Sequence, residues 1–233
     1  MKYFKRLKAI RAAKIYLCES GIKKQLTSRQ RQELINLRKA FHNEKMGTWP
    51  ERVLLFNTGL KLPENACVVE IGSWVGVSTS YIACGMKCGK GGKLYAVDTF
   101  EGTTMDETKK DAWKKTVEKL GGTSFERFKA NVKRFNLESI VTPIKSISVE
   151  AAKAWDKGMI HFLYIDGDHV YEAVKQDYAI WSPYVKRDGI IGFHDYDKRH
   201  PGVKRFVDEL LQSFKENVSI ETVDSIILLK FKE

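Results

Sequence analysis

Residues Cys67–Gly76 read CVVEIGSWVG, and this stretch decides the fold. Cys67–Ile71 is short, rich in β-branched residues and broken only by Glu70, the composition of a strand covered on both faces. Gly72 and Gly76 follow at once. Glycines directly after such a strand allow a sharp turn and let backbone approach a ligand closely. The stretch therefore predicts a strand, a loop over 72–76 and a helix through about Lys87, with Pro63 breaking the pattern upstream.

Outward from this point, apolar runs and helical periodicity alternate. Lys93–Asp98 reads as a second strand, followed by a polar stretch with helical segments near 108–120 and 124–136. Ile140–Lys145 is a third strand, Val149–Trp155 a short helix and Ile160–Ile165 a fourth strand. A helix over 170–181, a strand at Gly189–Phe193, a helix from Val203 to Lys215 and the runs Val218–Val223 and Ser225–Phe231 complete the chain. Alternation of this kind predicts an α/β fold with a doubly wound, mostly parallel, seven-stranded Rossmann-like sheet. The last two runs are separated by too few residues for a parallel crossover, so they should form an antiparallel C-terminal hairpin. The expected division is a helical N-terminal extension over 1–62 and the α/β domain over 63–233.

A length of 233 residues with 43% hydrophobic content suits one core and excludes a disordered chain. The net charge of +11 is unevenly placed. Residues 1–48 hold 13 of the 40 Lys and Arg against Glu19, Glu33 and Glu44, while the rest is nearly neutral. A nucleic-acid enzyme would carry its basic stripe on the folded domain, so no nucleic-acid partner is expected. Phe4, Leu7, Ile10, Ala13 and Leu17 recur at helical spacing among Lys and Arg. Residues 1–20 thus predict a basic amphipathic helix suited to anionic lipid, an acidic partner or a second copy of the chain, or else packed on its own domain. A second helix follows a cap at Thr27 or Ser28, and Trp49 and Pro50 are read as a lid. Cys18, Cys67, Cys84 and Cys88 form no CxxC pair and are expected to be reduced. With neither a spanning run nor a signal-like apolar core, the expected location is the cytoplasm, with peripheral contact at the inner membrane face through the leader.

Glu70, Gly72 and Gly76 sit at the carboxyl end of the first strand, where open parallel sheets bind ligands. Asp98 ends the second strand 22 residues beyond Gly76, where a carboxylate can accept both hydrogen bonds of a ribose diol. A dinucleotide or S-adenosylmethionine would suit such an end. The GxxxG spacing, with Trp74 and Val75 in the loop, departs from the GxGxxG of dinucleotide sites and favours S-adenosylmethionine.

The same residues, with Val97-Asp-Thr-Phe-Glu-Gly102, Ile165-Asp-Gly-Asp-His169 and Gly192-Phe-His-Asp195, resemble class I S-adenosylmethionine-dependent methyltransferases. The resemblance is to the sugar and natural-product O-methyltransferase branch, macrocin O-methyltransferase-like and cephalosporin-hydroxylase-like, over about 63–210. It implies a cofactor set of Glu70, Gly72, Ser73, Gly76, Asp98, Thr99, Ser146 and Asp166. It further implies a divalent ion, usually magnesium, on Asp166, His194 and Asp195, although His194 stands where relatives can have an acid. Asp168 matches the base of that branch, with His169 the competing base because imidazole titrates near neutral pH. The implied reaction is methyl transfer to a hydroxyl of a sugar or small natural product. Against it stand a nicotinamide-dependent oxidoreductase and a non-catalytic binding module working through the leader.

Overall fold

The computed structural model describes residues 25–44, 46–102, 105, 110–214 and 218–231, the side chain of Trp113 excepted. The expected leader helix and Cys18 lie outside these residues. The elements are α1 (Ser28–Ala40), α2 (Trp49–Lys61), β1 (Ala66–Ile71), α3 (Val77–Cys88), β2 (Gly92–Asp98), α4 (Lys110–Glu118), α5 (Phe125–Arg134), β3 (Val141–Lys145), α6 (Ser148–Lys153), β4 (Ile160–Ile165), α7 (Tyr171–Trp181), β5 (Val185–Phe193), α8 (Pro201–Ser213), β6 (Val218–Val223) and β7 (Ile226–Phe231). Among the described residues no helix is long and apolar enough to cross a membrane.

The seven strands form one sheet in the order β3-β2-β1-β4-β5-β7-β6. All pairs from β3 to β5 are parallel, and β7 runs antiparallel between β5 and β6. The expected hairpin is therefore present, with its second strand inserted beside β5. Side chains alternate across the central strands, as a period of two requires. Cys67, Val69, Ile71, Leu163 and Ile165 face a cluster built with Trp181, Phe193 and Val207. Val68, Phe162 and Tyr164 face the other side, where Leu34, Leu37, Phe41, Leu55 and Phe56 of α1 and α2 join Tyr81 and Met86 of α3. Each such fully buried side chain contributes about 1.5–3 kcal/mol relative to exposure.

The two N-terminal helices start where side chains cap them. Thr27 Oγ1 accepts from Gln30 N while Gln30 Oε1 accepts from Thr27 N, and Thr48 and Glu51 form the same reciprocal pair on α2. Helix α2 then lies directly against α3: a Cβ on Gly85 would stand 2.1 Å from the Phe56 carbonyl oxygen. That contact requires glycine and fixes α2 over the sheet.

Three features differ from expectation. Strand β5 begins at Val185, before Gly189, because Val185 pairs with Ile160 before a register shift places Ile190 opposite Phe162. Trp49 is no lid: its ring packs edge-on to Tyr81 at 6.3 Å beneath the Arg38 guanidinium. Helices α4 and α5 end at Glu118 and Arg134, each before the end of its periodic pattern.

Candidate active site

The carboxyl ends of β1, β2, β4 and β5 border one cavity of about 780 Å³. Gly72 brings two of these ends together. Its φ is +83°, and a Cβ there would lie 2.1 Å from the Asp166 carbonyl oxygen, so only glycine lets the β1 loop rest on the β4 loop.

Asp98, at the end of β2, organises the neighbouring backbone. Its Oδ2 accepts from Trp74 N at 2.7 Å and its Oδ1 from Phe100 N at 2.6 Å. Both donors are left-handed, with φ of +49° and +59°. Bulky residues in that region cost about 1–3 kcal/mol each, which the two charge-assisted bonds offset in part. Burial pushes the Asp98 carboxyl above its ordinary range, against the N–H groups of Trp74, Phe100 and Ser73. Of the residues implied to hold the cofactor, Gly72, Ser73, Asp98, Thr99, Ser146 and Asp166 line the cavity.

Glu70 and Gly76 do not line it. Glu70 is fully buried and its Oε2 accepts from Ser73 Oγ at 2.8 Å and from Thr79 Oγ1. Burial raises its pKa to about 7, against hydrogen bonds from Ser78, Thr79 and Ser73. Gly76 caps α3 with φ +79° and faces the Phe128 ring. Both shape the loop without lining the cavity.

Across the cavity the ends of β4 and β5 gather the acidic and imidazole groups. Asp168 Oδ1 accepts from Val170 N at 3.2 Å, and its Oδ2 accepts from Met105 N. His194 Nδ1 lies 2.9 Å from Asp166 Oδ1 and 3.4 Å from Asp195 Oδ2. His169 Nε2 lies 2.9 Å from Asp195 Oδ2, and His200 Nδ1 lies 3.3 Å from Asp195 Oδ1. Burial opposes a charge on His194, but Asp166, Asp195 and Glu51 overcome it and raise its pKa far above the usual imidazole range. Burial likewise opposes ionisation of Asp195, and His169 and His194 reverse that, holding its carboxyl well below the usual range.

Glu51 and Ser225 belong to this site and carry no sequence motif that announces it. Glu51 Oε1 accepts from Ser225 N at 2.7 Å and Ser225 Oγ at 2.6 Å, and Oε2 stands 3.8 Å from His194 Nε2. The capping spacing Thr48-x-x-Glu51 marks the start of α2 but not this reach. The hairpin turn that carries Ser225 is set by packing of β7 against β5.

The expected magnesium set converges in part. Suitable atoms of Asp166, His194 and Asp195 lie within 4.8 Å of one another. The donor chemistry does not suit magnesium, which takes oxygen ligands. His194 contributes nitrogen and spends Nδ1 on Asp166.

A family model described as a methyltransferase domain matches residues 69–196, from within β1 to the residue after Asp195. The chain belongs to this methyltransferase domain family. The dinucleotide reading falls away with that membership, and the match takes in the loop at Gly72, Asp98, the D-G-D-H element and the His194-Asp195 pair. Solved structures share the methyltransferase fold. TomG, an O-methyltransferase from Streptomyces achromogenes involved in tomaymycin synthesis and solved with SAM, is 13% identical with a TM-score of 0.58, over 86% of this chain and 90% of its own. An O-methyltransferase from Bacillus cereus in complex with SAH is 16% identical with a TM-score of 0.59, over 94% and 97%. The O-methyltransferase NovP is 20% identical with a TM-score of 0.59, over 78% and 77%.

Proposed function

We propose that this methyltransferase domain moves the methyl group of S-adenosylmethionine to a hydroxyl of a sugar or small natural product. The observation that carries the reading is that Asp98 with its glycine loop and Asp168 with the carboxylate and imidazole rim border the same cavity. The solved methyltransferases that hold SAM or SAH share this fold. The Gly72–Gly76 loop and Asp98 would hold the adenosine part, with Thr99 and Ser146 beside it.

Methyl transfer is an in-line displacement, so positioning of the two reactants supplies most of what the protein must do. The acceptor oxygen attacks the sulfonium methyl carbon, the carbon–sulfur bond breaks with its electron pair going to sulfur, and S-adenosylhomocysteine leaves. The hydroxyl proton goes to the Asp168 carboxylate. Two backbone N–H groups hold that carboxylate in place. A divalent ion that bound the acceptor oxygen would lower its pKa, but the chemistry above does not place magnesium on Asp166, His194 and Asp195.

Calorimetry with S-adenosylmethionine, S-adenosylhomocysteine and NAD tests the donor. The first two should bind and NAD should not. Mass spectrometry of a panel of hydroxylated sugars and natural products tests transfer. Donor binding without transfer to any acceptor would favour a binding module acting through the basic leader.

A further inference from the structure

We infer that Asp177 selects the base of the methyl donor, its carboxylate accepting a hydrogen bond from the exocyclic amine of adenine. The inference rests on the S-adenosylmethionine reading and adds a residue of α7 to the donor site.

Asp177 is only 7% exposed, yet it borders the cavity. It lies within α7 rather than at a strand end. A buried carboxylate needs hydrogen-bond donors, and Ser148 at the start of α6 supplies one. The Ser148 hydroxyl accepts from Trp181 Nε1 at 2.9 Å, which leaves its own proton for Asp177. Burial pushes the Asp177 carboxyl up to about 6, against the hydrogen bond from Ser148 and with help from Asp168. The group is thus ionised at neutral pH, when it can only accept. Among the described residues no cation pairs with it. One hydroxyl leaves most of its acceptor capacity for a ligand.

The space before Asp177 suits a flat ring. A Cβ on Gly167 would stand 3.3 Å from Asp177 Oδ2 and 3.5 Å from Ile71 Cγ2, so any side chain at 167 would crowd this carboxylate. Ile71, Val97, Ile147 and Val149 also border the cavity and give it apolar walls. Apolar walls with a few polar groups that fix orientation are the usual make-up of a ligand pocket. The loop after β3 links this region to the proposed ribose site. Ser146 N donates to the Asp98 carbonyl at 3.1 Å, and two residues further on Ser148 meets α7. A nucleoside whose diol rests on Asp98 therefore has its base along this loop, with the polar edge toward Ser148 and Asp177. Adenine presents an amine donor there. Hypoxanthine and guanine present a carbonyl at the same ring position, which sets one acceptor against another with no proton between them. A site built to hydrogen-bond a group rejects the analogue that lacks it.

The test is calorimetry on the full chain with S-adenosylhomocysteine and with S-inosylhomocysteine, in which a ring carbonyl replaces the exocyclic amine. The unaltered chain should bind the adenine compound at least about tenfold more tightly. Asp177→Asn offers an amide N–H to the carbonyl, and Asp177→Ala removes the acceptor, so each should reduce that preference at least about tenfold. Circular dichroism reports the folding of each variant, and a ratio of two ligands on one variant cancels any loss of stability common to both. Equal affinity of the unaltered chain for the two compounds would overturn the inference even if neither variant folds. So would an unchanged ratio in folded Asp177→Asn, which would leave Asp177 a support for the D-G-D loop. Either result, with S-adenosylhomocysteine still bound, leaves the methyl-donor reading standing, whereas absence of any binding by the unaltered chain overturns both.

Discussion

The Glu51 carboxylate stands 3.8 Å from Nε2 of His194 and joins a helix outside the expected domain boundary to the end of β5. Glu51 is 1% exposed and is met by the hydroxyl and N–H of Ser225 and the N–H of Thr48. Burial opposes its ionisation, yet His194, Ser225 and Thr48 prevail and hold its pKa down to about 2. One carboxylate thus fastens α2, the hairpin turn and the rim of the cavity together.

Glu51→Ala leaves an imidazole facing Asp166 without its second partner and two Ser225 donors without an acceptor. Breaking a buried pair in this way costs about 3–5 kcal/mol. Urea unfolding should show that loss. The exposed Lys153–Glu150 pair, 68% and 54% exposed, provides the contrast, and removing Glu150 should cost about 1 kcal/mol or less. A Glu51→Ala variant as stable as the Glu150→Ala variant would remove Glu51 from this role.

Asp98→Ala should weaken S-adenosylmethionine at least about tenfold, because charge-assisted hydrogen bonds to a ribose diol contribute about 1.5–3 kcal/mol each. The variant also strips the acceptor from Trp74 N and Phe100 N, whose left-handed conformations then lack their support. Binding should therefore fall together with stability. Asp98→Asn, which keeps one acceptor oxygen, should fall between the two. Unchanged affinity by calorimetry in both variants would sink the ribose role.

The strand order of chemistry was largely legible in the sequence because strand ends are marked by residues of distinct type. CVVEI followed by Gly72, KLYAVD ending in Asp98, and IHFLYID ending in Asp166 each show where an apolar run meets a polar ligand-facing group. Glu70 shows the limit of that logic. Its position at a strand end suggested ligand contact, but alternation turns it toward α3, where Ser73 and Thr79 take it up. Glu51 and Ser225 were invisible for a different reason. Their contact spans 174 positions and arises from how α2 and the hairpin pack, which no local pattern encodes.

Glu70 makes the stability of the fold depend on pH. Its pKa is raised from 4.5 to about 7, so between these values the folded state holds a proton that the unfolded state has released. Stability is thus highest below pH 4.5 on account of this group and falls as pH rises toward 7. The full fall corresponds to about 3 kcal/mol, from 1.36 kcal/mol per pKa unit. Glu70→Gln cannot ionise and removes this slope. Its stability relative to the unaltered chain should climb between pH 4.5 and 7.5, measured by urea unfolding at each pH. A difference that stays flat across that window would mean that Glu70 remains an ordinary carboxylate.

Asp168 carries the chemical step in the proposed mechanism, and Asp168→Asn isolates it. The amide keeps the size of the carboxylate and an oxygen for Val170 N or Met105 N, but it cannot take a proton from the acceptor hydroxyl. Donor affinity should stay unchanged, because Asp168 follows β4 and Asp98 ends β2, with β1 between the two strands. Turnover should fall by about 10²–10⁴-fold, the usual contribution of a positioned general base. The loss should appear in kcat rather than in KM for the donor, since the missing interaction develops only as the proton moves. It should also shrink as pH rises and the acceptor hydroxyl ionises without help. A variant that keeps full kcat would pass the base to His169.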